Sequence, residues 1–571
     1  MILDVESREI LLDKIMSSVG LPGIIAASLL AVFILRWMMW LATYVLTINN
    51  LPGPHLFGSG EHSHLLLGNA KPVFDSFGTV PGRPEQPNVW PMWLKLGKQF
   101  ANQGLLRFWF FNPFVAPFAR PFVVVFDPEL ARQLLLENSP ILVKARDIFS
   151  LVEPLVGTSL LSLPDGPLWR HQRKLSVSCF TQAFCEEAVS VSINILENEV
   201  FADWKTQLDK KGSDESIGVD ATALCTRLIM EILGFVAFGY PFQSFAKKNE
   251  DGDIKYDHDA DESQGNEEES MFDVYERMIT TLSRMSLVPP FLRPFHFEEN
   301  RRFRKASQRL DSVVGDVVQM RLDDLVEAEK TGKAVVKPRG DLLGYLLQKD
   351  DEGRRLPFKY LFGNVRMFLF AGHDTTASTL ANALWHLSQN DVAQGKLQQE
   401  VDAVYNDLEK SRTHPTYKRL KQMRYLDAII RETLRMNPAA GVARQNLKEI
   451  RLKGKSGGLE YTIPKETAIF VFPFVAQNLE IHWKDAGTFL PERFIVKSSS
   501  DQNNAWIPFS VGPRNCVGQP LAMAELKALL AHIVRHFTIA PNPLGVTPEQ
   551  VFLLNIKPHE VLIDLKARRP V

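Results

Sequence analysis

The chain has 571 residues, of which 45% are hydrophobic and 23% charged, and its net charge is −1. That composition supports a large globular core and carries no basic footprint for nucleic acid, so no nucleic-acid partner is expected. Four cysteines, Cys179, Cys185, Cys225 and Cys516, include no C-x-x-C pair. They speak against a cysteine zinc site or a disulfide scaffold and fit a reducing compartment.

Residues 1–14 form a short tail, and no charge occurs from Ile15 to Leu35. Those 21 apolar-rich residues match the length a spanning helix needs. Arg36 closes the run, and Trp37, Trp40 and Tyr44 stand where an interfacial aromatic belt lies. Asp4, Glu6, Glu9 and Asp13 replace the basic n-region of a cleaved signal peptide, so an uncleaved anchor is expected over 15–36. Arg8 and Lys14 before the run and Arg36 after it leave orientation open by charge, while the absence of N-x-[ST] sequons favours a cytosolic globular domain. Leu51-Pro-Gly-Pro54 makes a stiff break, which gives a juxtamembrane and proline-rich hinge at 37–60 and a globular domain over 61–571.

In the domain, Phe108–Phe111 and Phe122–Phe126 read as strands of a small sheet. Asp127 followed by Pro128 opens a helix as N-cap and first residue. The apolar spacing stays mostly helical to about residue 440, and short extended runs such as 468–472 follow, so the chain reads as mainly α with small β-sheets. Segment 250–269 holds ten acids and one lysine, the composition of a solvated loop. Its Asp257, Asp259, Asp261 and Glu268 fall at calcium-loop positions, but Glu262 stands where such a loop needs glycine. Gly454-Lys-Ser-Gly-Gly458 matches G-x-S-x-G but has no long helix after it and reads as a hairpin turn. His532 and His536 share a helical face without a zincin glutamate and read as ordinary core or surface histidines.

The densest signal is Phe509-Ser-Val-Gly512-Pro-Arg514-Asn-Cys516-Val-Gly518. Its glycines permit a tight turn and close backbone approach, and its cysteine is placed for ligation by iron. The run resembles the F-x-x-G-x-R-x-C-x-G signature of the cytochrome P450 superfamily at every fixed position. That resemblance implies haem b with Cys516 as axial ligand, Phe509 covering the sulfur, and Arg514 at a haem propionate. Ala371-Gly-His-Asp-Thr-Thr376, inside a long apolar helix from about Pro357 to beyond Leu387, is similar to the family's oxygen-binding helix. There Gly372 leaves room for dioxygen, Asp374 and Thr375 help deliver protons, and His373 is not a ligand. Without the haem context, an Asp and two Thr bonding back to the preceding turn would explain the same polar insertion.

Glu432 and Arg435 lie three residues apart, on one helical face, with Pro491-Glu-Arg493-Phe further on. In the family these residues form a buried triad of Glu432, Arg435 and Arg493. Trp169-Arg-His-Gln-Arg173 matches the W-x-x-x-R whose indole and guanidinium reach the propionates, and Arg444 stands in a position to join them. Arg170, Lys174 and Lys527 suggest a basic face for an acidic reductase, with a merely solvated surface as the alternative. Ala371 stands where some fatty-acid ω-hydroxylases, the clan closest in motif wording, carry a glutamate that esterifies the haem, so the haem is expected to be non-covalent.

The resemblance runs from about Leu51 to Asp564. It implies the cytochrome P450 fold behind one N-terminal transmembrane helix. The activity expected is monooxygenation of an apolar, lipid-like substrate with dioxygen, using electrons from NADPH through a separate flavoprotein reductase. A single-pass endoplasmic reticulum protein with a cytosolic domain is expected. The small apolar segment Asn437–Ala443, with Phe368 and Leu369, suits a fatty acid, sterol or terpenoid. Two alternatives stay open: a haem-thiolate isomerase or dehydratase acting on peroxides without a reductase, and a haem-binding sensor.

Overall fold

In the computed structural model of the chain, the described residues are 90–109, 121–211, 215–245, 270–286, 293–331, 340–349, 353–409, 414–454, 459–496, 504–553 and 555–568, with isolated positions elsewhere that include Ile48 and 51–53. Most of the expected anchor, most of the hinge and the acidic segment lie outside the described residues.

Among the described residues, the α-helices of five residues or more are α1 Trp90–Gln99, α2 Pro128–Arg132, α3 Arg146–Val156, α4 Pro167–Cys179, α5 Gln182–Ile195, α6 Ala202–Lys211, α7 Ala221–Leu233 and α8 Met271–Ser286. They continue with α9 Phe297–Thr331, α10 Leu342–Leu346, α11 Phe358–Ser388, α12 Asp391–Glu409, α13 Tyr417–Gln422, α14 Arg424–Met436, α15 Pro473–Gln477 and α16 Gln519–His536. The strands are β1 Leu105–Trp109, β2 Pro121–Val125, β3 Leu142–Val143, β4 Ser216–Asp220, β5 Val442–Asn446 and β6 Ile450–Lys453. After them come β7 Glu460–Ile463, β8 Ala468–Val471, β9 Phe537–Pro541, β10 Gln550–Leu553, β11 Asn555–Pro558 and β12 Leu562–Ala567. A five-stranded sheet runs β1-β2-β8-β5-β3 and a three-stranded one β4-β12-β9, while β6-β7 and β10-β11 are hairpins. Mainly helical architecture with small sheets is what the residue pattern indicates.

Local chemistry explains the boundaries that matter. The Asp127 carboxylate accepts the backbone N–H groups of Glu129 and Leu130 at 2.9 Å, so α2 starts on a satisfied cap with Pro128 behind it. In the main sheet, β2 and β8 pair in parallel with Val123 opposite Ile469, and β5 joins β8 antiparallel. The expected 454–458 turn lies largely outside the described residues, but β6 and β7 on either side pair as an antiparallel hairpin, Ile450 opposite Ile463.

α11 is buried through most of its length and packs against α7, α16 and α14, as a helix apolar on all sides must. Gly372 sits at its crossing with α7: a Cβ there would meet Leu233 Cδ2 at 2.9 Å. The missing side chain lets the two helices close up. Ala221–Phe238 is long and apolar enough to cross a membrane, but it is almost wholly inside the fold and is a core helix. Ile48 and Leu51 are buried with β1, β2 and β8 side chains, and the Arg107 N–H donates to Pro52 O at 2.7 Å. The described part of the hinge is therefore docked onto the domain.

α16 buries Glu525, whose Oε1 has no hydrogen bond, and burial pushes its carboxyl up to about 8 from an ordinary 4.5. The unfolded chain loses this proton near 4.5 and the folded chain only near 8, so stability present at low pH is lost as pH rises across that window. The loss is at most roughly 1.4 kcal/mol per pH unit. Glu525→Gln should be free of this loss, and its denaturation midpoint should exceed the parent's by a margin that grows towards pH 8. A margin that stays constant would mean the carboxyl is already ionised in the folded chain.

Candidate active site

The cysteine loop is built by its backbone. The Cys516 N–H donates to Phe509 O at 3.0 Å and the Asn515 N–H to Gly512 O at 3.1 Å. Ser510 and Gly512 take φ of 61° and 82°, and a Cβ on Gly512 would stand 2.3 Å from Leu135 O. Only glycine fits there. Gly518, by contrast, caps α16 with φ −85° and has open space around its would-be Cβ, so its place in the loop is not set by crowding.

Cys516 is open to solvent yet so enclosed by protein that burial pushes its thiol up; it lies at the floor of a recess. The N–H groups of Gly518 and Gln519 and the Arg173 guanidinium work the other way and favour thiolate. The other three cysteines are buried, and burial raises the thiols of Cys179 and Cys225 strongly and that of Cys185 to about 11. Among the four, only Cys516 is exposed.

Around the recess the chain gathers positive charge. Arg173 of α4 donates through Nη1 to Asn515 O at 3.1 Å and through Nη2 to the Asn515 side chain, fastening α4 to the cysteine loop. Arg514 binds Asp165 at 2.8 Å and the Leu163 carbonyl at 2.9 Å. Its guanidinium lies 3.9 Å over the buried Trp169 ring. Arg444, on β5, donates to the Ala443 carbonyl at 2.8 Å; burial and then Arg514 lower it to about 10. Lys144, between β3 and α3, is pushed well down by burial, then by Arg444 and Arg514. Residue reasoning missed Lys144, a lone lysine between Val143 and Ala145 with no motif to mark it. It also missed Asp165.

Three cations, Lys144, Arg444 and Arg514, thus face one carboxylate, Asp165, and among the described residues no acid pairs with Lys144 or Arg444. Buried cations need counter-charge. A haem bound beside Cys516 would bring two carboxylates to these cations, so the residues present fit that group: Cys516 would be its ligand, and Lys144, Arg173, Arg444, Arg514 and Trp169 would hold its propionates.

On α11, Phe370, Ala371, Gly372 and Thr375 remain half-buried while His373, Asp374 and Thr376 are buried. Phe370 and Ala371 fringe the same apolar core as Phe509 and Val517. Thr375 Oγ1 donates to Ala371 O at 2.8 Å. Asp374 turns the other way, its Oδ2 accepting from Asn555 Nδ2 at 2.6 Å and its Oδ1 standing 3.7 Å from Lys557 Nζ. His373 is buried, bonded to the Leu369 carbonyl and edge-on to Tyr275; burial keeps it neutral.

Glu432 and Arg435 of α14 are fully buried, with Arg435 Nε and Nη2 on the carboxylate at 2.8 and 2.9 Å. Arg493 Nε adds a third contact at 3.0 Å, and the Leu490 N–H a fourth at 2.9 Å. Arg435 also holds Gln477 O at 2.7 Å, and Gln477 Oε1 accepts the Ile507 N–H at 2.9 Å, two residues before Phe509. No motif marks Gln477. Lys527 corrects an expectation: it is buried and paired with Asp427 at 2.7 Å, so of the three suggested bases only Arg170 and Lys174 lie on the surface. His532 bonds Glu197 at 3.0 Å and Tyr405 at 3.3 Å, and no metal-binding cluster occurs among the described residues.

Fold and site together define a haem-thiolate enzyme. The family model described as Cytochrome P450 matches residues 113–563, and the chain belongs to that family. It is 27% identical over 506 residues to "Cytochrome P450 4V2" of Rattus norvegicus, covering 85% of this chain and 86% of that protein. It is 26% identical to "Cytochrome P450 97B2, chloroplastic" of Glycine max, covering 86% and 87%. A shorter stretch, 35% of this chain, is 36% identical to 93% of "Cytochrome P450 3A19" of Capra hircus aegagrus. The fold is similar to that in "Crystal structure of cytochrome P450DA heme domain", with TM-score 0.68, 21% identity, and coverage of 91% of this chain and 98% of that one. The family's cofactor is haem with a cysteine thiolate ligand, and its activity is that of a monooxygenase.

Arg435→Ala leaves Glu432 facing only Arg493, and Arg493→Ala leaves it only Arg435; breaking a buried ion group costs about 3–5 kcal/mol. Both variants should yield less haem-loaded protein, read as the haem-to-protein absorbance ratio after purification. Arg435→Ala should lose more, since it also frees the Gln477 carbonyl. Equal and full loading in both would detach the triad from the cysteine loop.

Proposed function

We propose that this chain is a membrane-anchored monooxygenase that inserts one atom of dioxygen into an apolar, lipid-like molecule, with NADPH electrons delivered by a separate flavoprotein reductase. The observation that carries it is the cysteine itself, on a glycine-shaped loop beside cations of which, among the described residues, only Arg514 has a paired acid, Asp165. Bound there, haem supplies dioxygen activation. The chain's own residues do the rest. Lys144, Arg173, Arg444 and Arg514 hold and orient the group by its carboxylates, and Phe509 closes the loop over the sulfur. Gly372 keeps the middle of α11 slim, and Thr375 presents a hydroxyl on the half-open face, where a proton can be handed on. Asp374 is the acid next to it in the chain.

Apolar Phe368 and Leu369, together with the Asn437–Ala443 segment, support a lipid-like substrate. Ala439 O accepts the Ile556 N–H at 2.7 Å, so the β10-β11 hairpin closes over that segment. The uncharged run Ile15–Leu35 and the absence of sequons support a single-pass endoplasmic reticulum protein with its domain in the cytosol. No dinucleotide or flavin motif occurs in the chain, which supports a separate reductase. Because Ile48 is in the core, the informative truncation is 1–45. It should move much of the protein from the membrane to the soluble fraction with its haem spectrum intact, and loss of haem would place the N-terminal segment in the domain.

Thr375→Ala tests the reaction class. The variant should bind haem and substrate normally and divert NADPH electrons into hydrogen peroxide, lowering product per NADPH about tenfold or more, as loss of a positioned proton donor does. NADPH, peroxide and product are measured together across a panel of fatty acids, sterols and terpenoids. Unchanged coupling removes Thr375 from proton delivery. Turnover of lipid hydroperoxides without reductase would instead assign an isomerase.

A further inference from the structure

Arg366 is a buried cation within the apolar α11, and its side chain leaves that helix to bond two others. Its Nε donates to the Leu155 carbonyl at 2.9 Å and its Nη2 to the Pro154 carbonyl at 2.6 Å, both at the end of α3. Nη1 pairs with Asp311 of α9, and Nη2 also reaches Ser307 Oγ at 3.3 Å. Every nitrogen of the guanidinium is in use.

The end of α3 has particular need of such a donor. The last carbonyls of a helix find no partner within it, and Pro154 has no N–H to give to the turn before it. The Gly157 N–H donates to Glu153 O at 2.8 Å, and Arg366 takes the next two carbonyls. A cation there also suits the negative end of the helix dipole. α11 holds the chain beyond α3 as well: a Cβ on Gly363 would stand 2.4 Å from Thr158 O, and Asn364 Oδ1 accepts the Leu160 N–H at 2.9 Å.

α3 begins two residues after Lys144, whose Nζ stands 4.6 Å from the Phe149 ring centre. Val152, Leu155 and Val156, further along it, share one core with Phe368 and Leu369 of α11, and Phe370 and Ala371 fringe that core. The helix therefore runs from the cations assigned to the propionates to the apolar residues of α11.

We propose that Arg366 is a positioning residue for substrate selection: from inside α11 it caps the last turn of α3 and pins it to α9, which makes α3 a fixed wall that bulky ligands must pass. An apolar residue at 366 would take this donor from two helix-end carbonyls and from Asp311, and the wall would loosen. The bracing stands on the contacts alone. Reading the space beside the wall as the substrate site rests on the function proposed above.

Two measurements on the haem-loaded protein test it. Hydrogen exchange in peptides spanning 149–157 should quicken about fivefold or more in Arg366→Met, the order of a lost helix cap, and less in Arg366→Lys, which keeps a cation without the fork. Peptides of α9 and α11 should stay within about twofold of the parent. Stopped-flow binding to the haem iron, read at the Soret band, then compares imidazole with 4-phenylimidazole. Arg366→Met should bind the bulkier probe several-fold faster and imidazole at the parent's rate. Unchanged exchange at 149–157 overturns the bracing, and so does exchange that quickens equally through α9 and α11, since that is a general loss of core stability. Local quickening with the parent's rates for both probes overturns the role in selection. If Arg366→Met does not fold or load haem, Asp311→Ala decides, because Asp311 is part-exposed and its loss frees the guanidinium from α9 alone. Exchange at 149–157 should still quicken in that variant, and parent-like exchange there overturns the proposal. Neither measurement needs turnover, so both outcomes stand whether or not Thr375→Ala uncouples, and the two proposals fail separately.

Discussion

Glu432 holds two guanidiniums on one carboxylate in a fully dehydrated part of the chain, and much of the site hangs from that contact. Charge at this depth is tolerated because both carboxylate oxygens are engaged: Oε1 accepts from Arg435, Arg493 and the Leu490 N–H, and Oε2 from Arg435. The spare donor of Arg435 fixes the Gln477 carbonyl, Gln477 fixes Ile507, and the short path from Ile507 to Phe509 ends on the carbonyl that anchors the Cys516 N–H. A local ion group thereby becomes the footing of a loop 84 residues further along the chain than Glu432.

On the other side of that loop the electrostatics are deliberately incomplete. Burial lowers Lys144, Arg444 and Arg514; after it Arg444 and Arg514 lower Lys144, Arg514 lowers Arg444 and Arg173 lowers Arg514, while Asp165 acts in the opposite sense on all three. Such a cluster destabilises the protein by itself and favours whatever supplies acid groups, so haem loading and folding are linked by mass action. Arg173 ties the two halves together by bonding the residue that precedes the cysteine.

α11 divides its labour by face. Ala371 and Thr375, one turn apart, stay half open, whereas Asp374 is rotated into the ion cluster under α8 and β11. Adjacent residues thus sit in different environments, Thr375 half-buried and Asp374 buried. Gly372 serves the packing of this helix on α7.

Contiguous chemistry was legible in the residues alone. The cysteine loop, the capped start of α2 at Asp127, the extent of α11 and the pairing of Glu432 with Arg435 all rest on neighbours within a few positions, where backbone geometry dictates who meets whom. Lys144, Asp165, Gln477, Asn555 and Lys557 carry no local signature, and nothing short of the folded chain brings them to the site. Lys527 shows the converse: its charge suggested a surface, but α16 turns it inward onto Asp427. The sequence by itself determined the family, the ligand and the kind of chemistry, since those depend on residue type at short spacing. The tertiary structure alone decided how charge is balanced around them, because Coulomb energy depends on distance and burial, and neither is written in the order of the chain.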